Sequence, residues 1–170
     1  MSTPYVATNG INLVETAAIT TLSADAWLGS TSNVKTIHQR IRRTSDDPGE
    51  LYLQTELPAI GVMAADGAAD AMETIQEFSE AFRLGFDVWA AGADLDAADQ
   101  VAKQIIARIR RLMRLQTFSP TVNAASSQLD GFLADGEIEV EGFSFEYFNN
   151  NGWYLAHGMT YALITILSTE

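Results

Sequence analysis

The chain has 170 residues, 47% of them hydrophobic, which suits one domain with a single core over residues 1–170. It contains no cysteine, so disulfides, thiolate metal sites and cysteine nucleophiles are excluded. Its 22 acidic and 10 basic residues give a net charge of −12, which argues against general attraction to nucleic acid and favours solubility.

The amino-terminal part of the sequence predicts an arm followed by a helix. Residues 1–10 are small and polar, without the basic and apolar stretches of a signal peptide, and we expect them to form a flexible arm. Residues 11–28 repeat apolar side chains at three- and four-residue steps, which predicts an amphipathic helix. Its apolar residues are Ile11, Val14, Ala18, Ile19, Leu22 and Trp27.

Two short strands are predicted next. Residues 34–43 form the first, and residues 44–50, which contain Asp-Asp-Pro-Gly, form a turn or exposed loop. Residues 51–65 contain the second, a central strand that begins near Pro58, where the missing N–H of proline is tolerated.

A long strand is predicted over residues 73–91. Apolar side chains recur there at even positions from Phe78 to Val88, with an interruption at Glu80, while the odd positions include Arg83 and Asp87. An alternation of this kind is typical of a half-buried strand, with one face on the core and one in water.

Residues 94–115 predict an amphipathic helix that packs on the sheet. Asp94 is positioned to cap its first turn, and basic side chains crowd its last turns, where they complement the helix dipole. The apolar stripe consists of Leu95, Ala98, Val101, Ala102, Ile105, Ile106, Ile109, Leu112 and Met113.

Two further strands complete the predicted sheet. Residues 137–148 and 153–167 flank Asn149-Asn150-Asn151-Gly152, whose residues tolerate the positive φ of a hairpin turn. Residues 116–136 offer few apolar anchors and predict a long irregular connection. The predicted fold class is α+β: a mostly antiparallel sheet of four to five strands, packed by the helix at 94–115, with an additional amino-terminal helix.

The last strand is apolar on both faces. Residues 153–167 are shorter than the ~20 residues that a membrane-spanning helix needs, so we interpret them as a strand that must be covered twice. The helix at 94–115 would cover one face, and the helix at 11–28 or a neighbouring subunit the other. If a subunit covers it, the candidate anchors are Trp89, Phe118, Trp153 and Tyr154.

Charged side chains of opposite sign are grouped in separate segments. Glu137, Glu139 and Glu141 alternate along one strand face, which is either solvated or an acidic wall that faces DNA or the arginines of an adjacent subunit. The basic group on the helix is either a solvated face, a patch that meets an acidic partner or another copy, or a direct DNA contact. It consists of Lys103, Arg108, Arg110, Arg111 and Arg114.

No pattern in the sequence is typical of catalysis. His38 and His157 are the only histidines, and neither has the spacing of a metal ligand or a catalytic triad. The segment from Asp94 begins like a calcium-binding loop but lacks its glycine and its final glutamate. Nucleotide-binding loops and nucleophile elbows do not occur. We therefore expect no catalytic site, no metal, no cofactor and no enzymatic activity.

The order of these segments has a parallel among known proteins. A helix and a strand precede "LPAIGV", the strand "FSEAFRLGFDVWAAG", the acid-started helix "DLDAADQVAKQIIARIRRLM" and the hairpin "EIEVEGFSFEYF…WYLAHGMTYALITIL". This arrangement, over residues 11–168, resembles the tail-terminator proteins of long-tailed bacteriophages and related tail-completion and neck proteins. The segment "LPAI" and the "D…A…V" that opens the helix are the closest local matches. The irregular residues 116–136 and the polar arm depart from the pattern.

The resemblance implies a structural virion protein, made in the host cytoplasm. Such proteins form a six-membered ring on the head-proximal end of the tail tube, stop its growth and present a surface that joins the head. The implied partners are other copies, the tail tube protein and a head–tail connector, with genomic DNA passing through the lumen and no membrane. The alternatives are a neighbouring connector or neck protein, and a DNA-binding accessory protein that uses the basic helix face.

Overall fold

Two α-helices lie in the part of the chain that the structure describes. They are α1 (Tyr5–Ala24) and α2 (Leu95–Leu115). The structure, a computed structural model, describes residues 5–40, 52–66, 71–72, 77–116, 128–129, 138–150 and 152–169.

The strands form one mixed sheet in the order β1-β2-β4-β6-β5, with β3 paired to β4. β1 runs parallel to β2, and the other pairs are antiparallel. The predicted α+β class with a mostly antiparallel sheet is confirmed. The bounds are β1 Thr36–Gln39, β2 Ala59–Asp66, β3 Ala71–Met72, β4 Glu77–Gly92, β5 Glu139–Asn150 and β6 Trp153–Thr169.

Local sequence signals fix the ends of several elements. The carboxylate of Asp94 accepts a hydrogen bond from the Ala97 N–H at 2.8 Å and caps α2, as predicted. Asn150 pairs with Trp153, so a two-residue turn joins β5 to β6, and Gly152 in that turn has φ of 94°. β2 begins directly after Pro58, which confirms the position predicted for that proline.

Both helices pack on the same face of the sheet. Even-numbered side chains of β4 and β6, from Phe82 to Val88 and at Ala162 and Ile164, point into this layer and are buried. Each such large apolar side chain stabilises the fold by roughly 1.5–3 kcal/mol relative to an exposed one. From α2 the layer receives Ala98, Ala102, Ile105, Ile106, Ile109 and Met113.

The position of α1 differs from the prediction. The helix begins at Tyr5, not Ile11, and ends at Ala24. It ends there because the Asp25 carboxylate accepts the N–H groups of Trp27 and Leu28, which turns the chain. It packs against β1, β2 and β6 on the same sheet face as α2, so the alternative in which this helix covers the second face of the last strand is wrong.

The expectation of a solvated odd face on β4 is met at Arg83, which is exposed, and is wrong at Asp87 and Trp89. Asp87 and Trp89 are 0% and 3% exposed, because other aromatic side chains and the segment before β2 cover them. The predicted turn at 44–50 lies outside the described residues. So do residues 1–4 of the arm, most of the connection at 116–136, and Phe118 and Glu137.

Candidate assembly interface

The sheet has an outer face, opposite the helices, that is covered over only part of its area by the described residues. At one end Tyr52 and Leu57 pack on Trp89 and Leu155 and bury them. At the other end no segment within the described ranges packs over the sheet. We call this part the open half: Met63, 43% exposed, with Arg83, Tyr161 and Leu163.

The end of the outer face that Tyr52 and Leu57 cover, which we call the covered half, contains a buried polar cluster. The sequence did not predict this cluster. The Asp87 carboxylate accepts a hydrogen bond from Trp89 Nε1 at 3.0 Å and contacts His157 Nε2. The His157 ring stacks on Trp89 with 4.2 Å between ring centroids, and its Nδ1 lies 3.5 Å from Glu146. Asp87 and His157 are far apart in sequence, and only the β4–β6 pairing brings them together.

An ion pair borders the open half. Arg83 Nε donates to Glu141 at 2.6 Å, and the Arg83 guanidinium lies 4.3 Å from the centre of the Tyr161 ring. Glu139 is exposed on the same strand as Glu141, before an irregularity between Val140 and Phe143. The predicted acidic strand face therefore contains at least one carboxylate that a cation of the same chain already neutralises.

The predicted basic group on α2 is divided between two flanks of the helix. On the flank toward β5, Lys103 pairs with Asp99 at 2.6 Å, and Asp99 also accepts a hydrogen bond from Tyr147. The hydrogen bonds from Lys103 and Tyr147 lower the pKa of Asp99, and the same bonds raise the pKa of Lys103 and of Tyr147.

Arg110 lies on the same flank and is half-buried. Its guanidinium donates to the Glu141 carbonyl and to Thr160 Oγ1, and it lies 5.0 Å from the centre of the Phe143 ring. Burial, with a smaller contribution from the charge of Arg114, lowers the pKa of Arg110. Arg110 therefore joins α2 to the sheet, whereas Arg114 is exposed.

Arg108 lies on the opposite flank and links α2 to the end of α1. Its Nη2 and Nε donate to the Asp25 carboxylate at 2.7 and 3.2 Å. Burial is the largest single influence on Asp25 and raises its pKa, but the hydrogen bonds from Arg108, Leu28 and Trp27 together hold that pKa below its ordinary value. The bond to Asp25 raises the pKa of Arg108.

A surface cleft lies beside this ion pair. Its volume is about 420 Å³, and it lies between the half-buried Trp27 and the exposed Arg111. The sequence predicted Trp27 on the apolar stripe of a helix. It did not predict that the indole would share a cleft with two arginines. We call this site the arginine cleft; its lining residues are Trp27, Gln104, Ala107, Arg108 and Arg111.

The predicted aromatic anchors have different environments. Trp89 is part of the core of the single chain and is not available at its surface. Trp153 and Tyr154 are half-buried beside the covered half and α2. Phe143 and Tyr147 on β5 are 58% and 43% exposed. They were not predicted as anchors, although the alternation of aromatic residues in "FSFEYF" is visible in the sequence.

Among the described residues, no group of histidine and carboxylate side chains is arranged to hold a metal ion. None of the helices within the described ranges is both long and apolar enough to cross a membrane. The arrangement is therefore one of surfaces: an open sheet face, a cleft with two arginines, and an exposed edge strand, β5.

No protein-family model matches the sequence, and no curated protein matches it. Among solved structures, the chain is similar to one in the virion of a native gene transfer agent particle. The TM-score is 0.42 and the identity 14%, over 96% of this chain and 99% of that chain. A similarity at this TM-score and identity assigns no function to the chain.

Proposed function

We propose that this protein is a structural subunit of a phage-type virion that caps the head-proximal end of a tail tube as a ring. In that role it stops tube growth and offers a joining surface to the head, as the resemblance to tail-terminator proteins implies. Its partners are other copies, the tube protein and a connector. DNA passes through the lumen without sequence-specific contacts, and the role involves no membrane.

The observation that supports this proposal is the open half of the outer sheet face. Met63 is 43% exposed there, and the half-buried Tyr161 and Leu163 lie beside it, so apolar side chains on neighbouring inner strands meet at this surface. A neighbouring subunit is the simplest source of cover for it. Arg83 and Glu141 at its border are suited to fixing the register of a contact.

The proposal includes no enzymatic activity. The one buried acid–histidine pair among the described residues, Asp87 and His157, faces Trp89 and Glu146. Its contacts hold rings and strands in place, and we assign it a structural role.

The proposal is tested by electron microscopy of the purified protein and by a tube-growth assay. We expect rings, and we expect substoichiometric amounts to shorten tubes formed by the tail tube protein of the same particle. A Leu163→Glu variant should lose both properties, because it places a charge in the open half. Leu53→Glu is the matched control, since Leu53 is 70% exposed and outside that surface.

Two results would contradict the proposal. One is a protein that neither forms rings nor alters tube length at any ratio. The other is equal activity of the Leu163→Glu and Leu53→Glu variants. Co-purification with a portal-side adaptor, but not with tube protein, would instead identify the protein as the neighbouring connector.

A further inference from the structure

The start of α2 presents an exposed apolar side chain between two carboxylates. Leu95 is 42% exposed, and Asp94 and Asp96 on either side of it are exposed as well. Aspartates in the first turn stabilise the helix through its dipole, but that gives no reason for an exposed leucine between them. We call Asp94, Leu95 and Asp96 the acidic knob.

The arginine cleft has the complementary chemistry. The Trp27 indole forms an apolar wall, and Arg108 and Arg111 line the same space. Arg108 is already bound to Asp25, so Arg111 is the side chain in the cleft best placed to take up a carboxylate from outside. Tryptophan and arginine are the residue types most often found at the energetic centres of protein interfaces.

The two sites cannot meet within one chain. Both lie on α2, and at 1.5 Å rise per residue the helix separates Leu95 from Arg111 by roughly 24 Å. The knob of one copy can therefore reach only the cleft of another copy. A contact between two different patches is heterologous, and repetition of such a contact closes a ring when the rotation permits.

We propose that the acidic knob of one subunit docks into the arginine cleft of the next, with Asp96 paired to Arg111 and Leu95 packed on Trp27. This rests on the proposed ring and names the surfaces that join its subunits. The occupant is a second copy because the knob supplies a negative charge that complements the arginines of the cleft and an apolar side chain that complements its indole.

The absence of cysteine from the chain allows a direct test by cross-linking. A chain with both Asp96→Cys and Arg111→Cys should give a ladder of disulfide-linked multimers on oxidation. A mixture of the two single variants should give mixed dimers. The matched control pairs Arg111→Cys with Leu53→Cys at another exposed position, and it should give no ladder. Circular dichroism and thermal melts establish that each variant is folded.

Charge reversal gives the second measurement. Arg111→Glu and Asp96→Arg should each weaken self-association about 100-fold by sedimentation, because each places like charges opposite one another. The two changes combined in one chain should restore association to within about threefold of the original.

The outcomes separate this inference from the proposed function. Rings that form without the 96–111 cross-link, or single reversals without effect, overturn the interface and leave the tail-terminator role intact. A chain that stays monomeric at millimolar concentration, forms no cross-link and does not alter tube length overturns both.

Discussion

At the level of single residues, Asp25 joins the two helices. Its carboxylate ends α1, holds two backbone N–H groups and binds Arg108 of α2, so one side chain fixes the relative position of the two helices. Its side chain is 7% exposed, which protects these bonds from competition by water.

We predict that Asp25→Asn destabilises the protein by about 1–2 kcal/mol near pH 7, since asparagine keeps an acceptor but loses the charge. The pKa of Asp25 is lowered in the folded state from an ordinary value of 3.8. Its contribution is therefore present above that value and is lost as pH falls through the folded-state pKa. Urea unfolding at pH 7 and at low pH measures this.

Glu139→Gln, at an exposed strand position, is the control for the Asp25 variant. It should change the free energy of unfolding by less than about 0.5 kcal/mol at either pH. A difference between Asp25→Asn and the original chain that persists unchanged at low pH would contradict the role assigned to the charge.

Single residues also show where sequence reasoning ended. The cap at Asp94 was predicted because a short-range rule connects an aspartate to the next three residues. Asp87 was placed on a solvated face because alternation reveals which residues share a face but not what covers that face. Its partner His157 is brought close only by the register of β4 with β6.

At the level of elements, the backbone is closely packed at the connection between β4 and α2. A Cβ atom at Gly92 would lie 2.6 Å from the Ala98 nitrogen and 2.9 Å from the Asp94 carbonyl oxygen. Both are backbone atoms of the capped first turn, so the chain cannot relieve this contact by moving a flexible side chain.

We predict that Gly92→Ala destabilises the protein by about 1–3 kcal/mol, as expected for forced overpacking. Gly142→Ala is the matched control: a Cβ there meets no atom within 4 Å, so its effect should stay within about 1 kcal/mol. Thermal unfolding followed by circular dichroism compares the two. Equal effects would mean that the contact at Gly92 is not the cause.

Elements with a strong local pattern of apolar residues were predictable from the sequence. Features that depend on which segment covers a face of the sheet were not. α2 and the β5–β6 hairpin were placed correctly, since a broad apolar stripe and an Asn-Gly turn are local signals. The packing of α1 on the same sheet face as α2 depends on tertiary contacts. So does the cover that the segment before β2 gives to the outer face. The open half and the arginine cleft follow from those contacts and share their unpredictability.

At the level of the whole molecule, the distribution of charge disfavours DNA as a bound partner. The net charge is −12, and three of the five cations on α2 are engaged by other groups of the same chain. The exposed Arg111 and Arg114 are too few to act as a phosphate-binding surface. The net negative charge fits the proposed role, in which DNA moves past the protein without adhering to it.

We predict no duplex DNA binding at physiological salt, measured by fluorescence anisotropy with a labelled duplex. Weak binding at low salt should disappear as the salt concentration rises, because few phosphates are contacted. Binding at physiological salt that is abolished in an Arg111→Glu variant would favour the DNA-binding accessory role over the structural one.

The central place of β6 in the sheet bears on biosynthesis. This strand follows every other described element in sequence, yet it separates β4 from β5 and pairs with β4 along its whole length. During translation β4 therefore lacks its neighbour on one side until β6 leaves the ribosome, and pairing across such a sequence distance is slow. The open half includes Tyr161 and Leu163 of β6, so this surface is complete only after that strand has been synthesised.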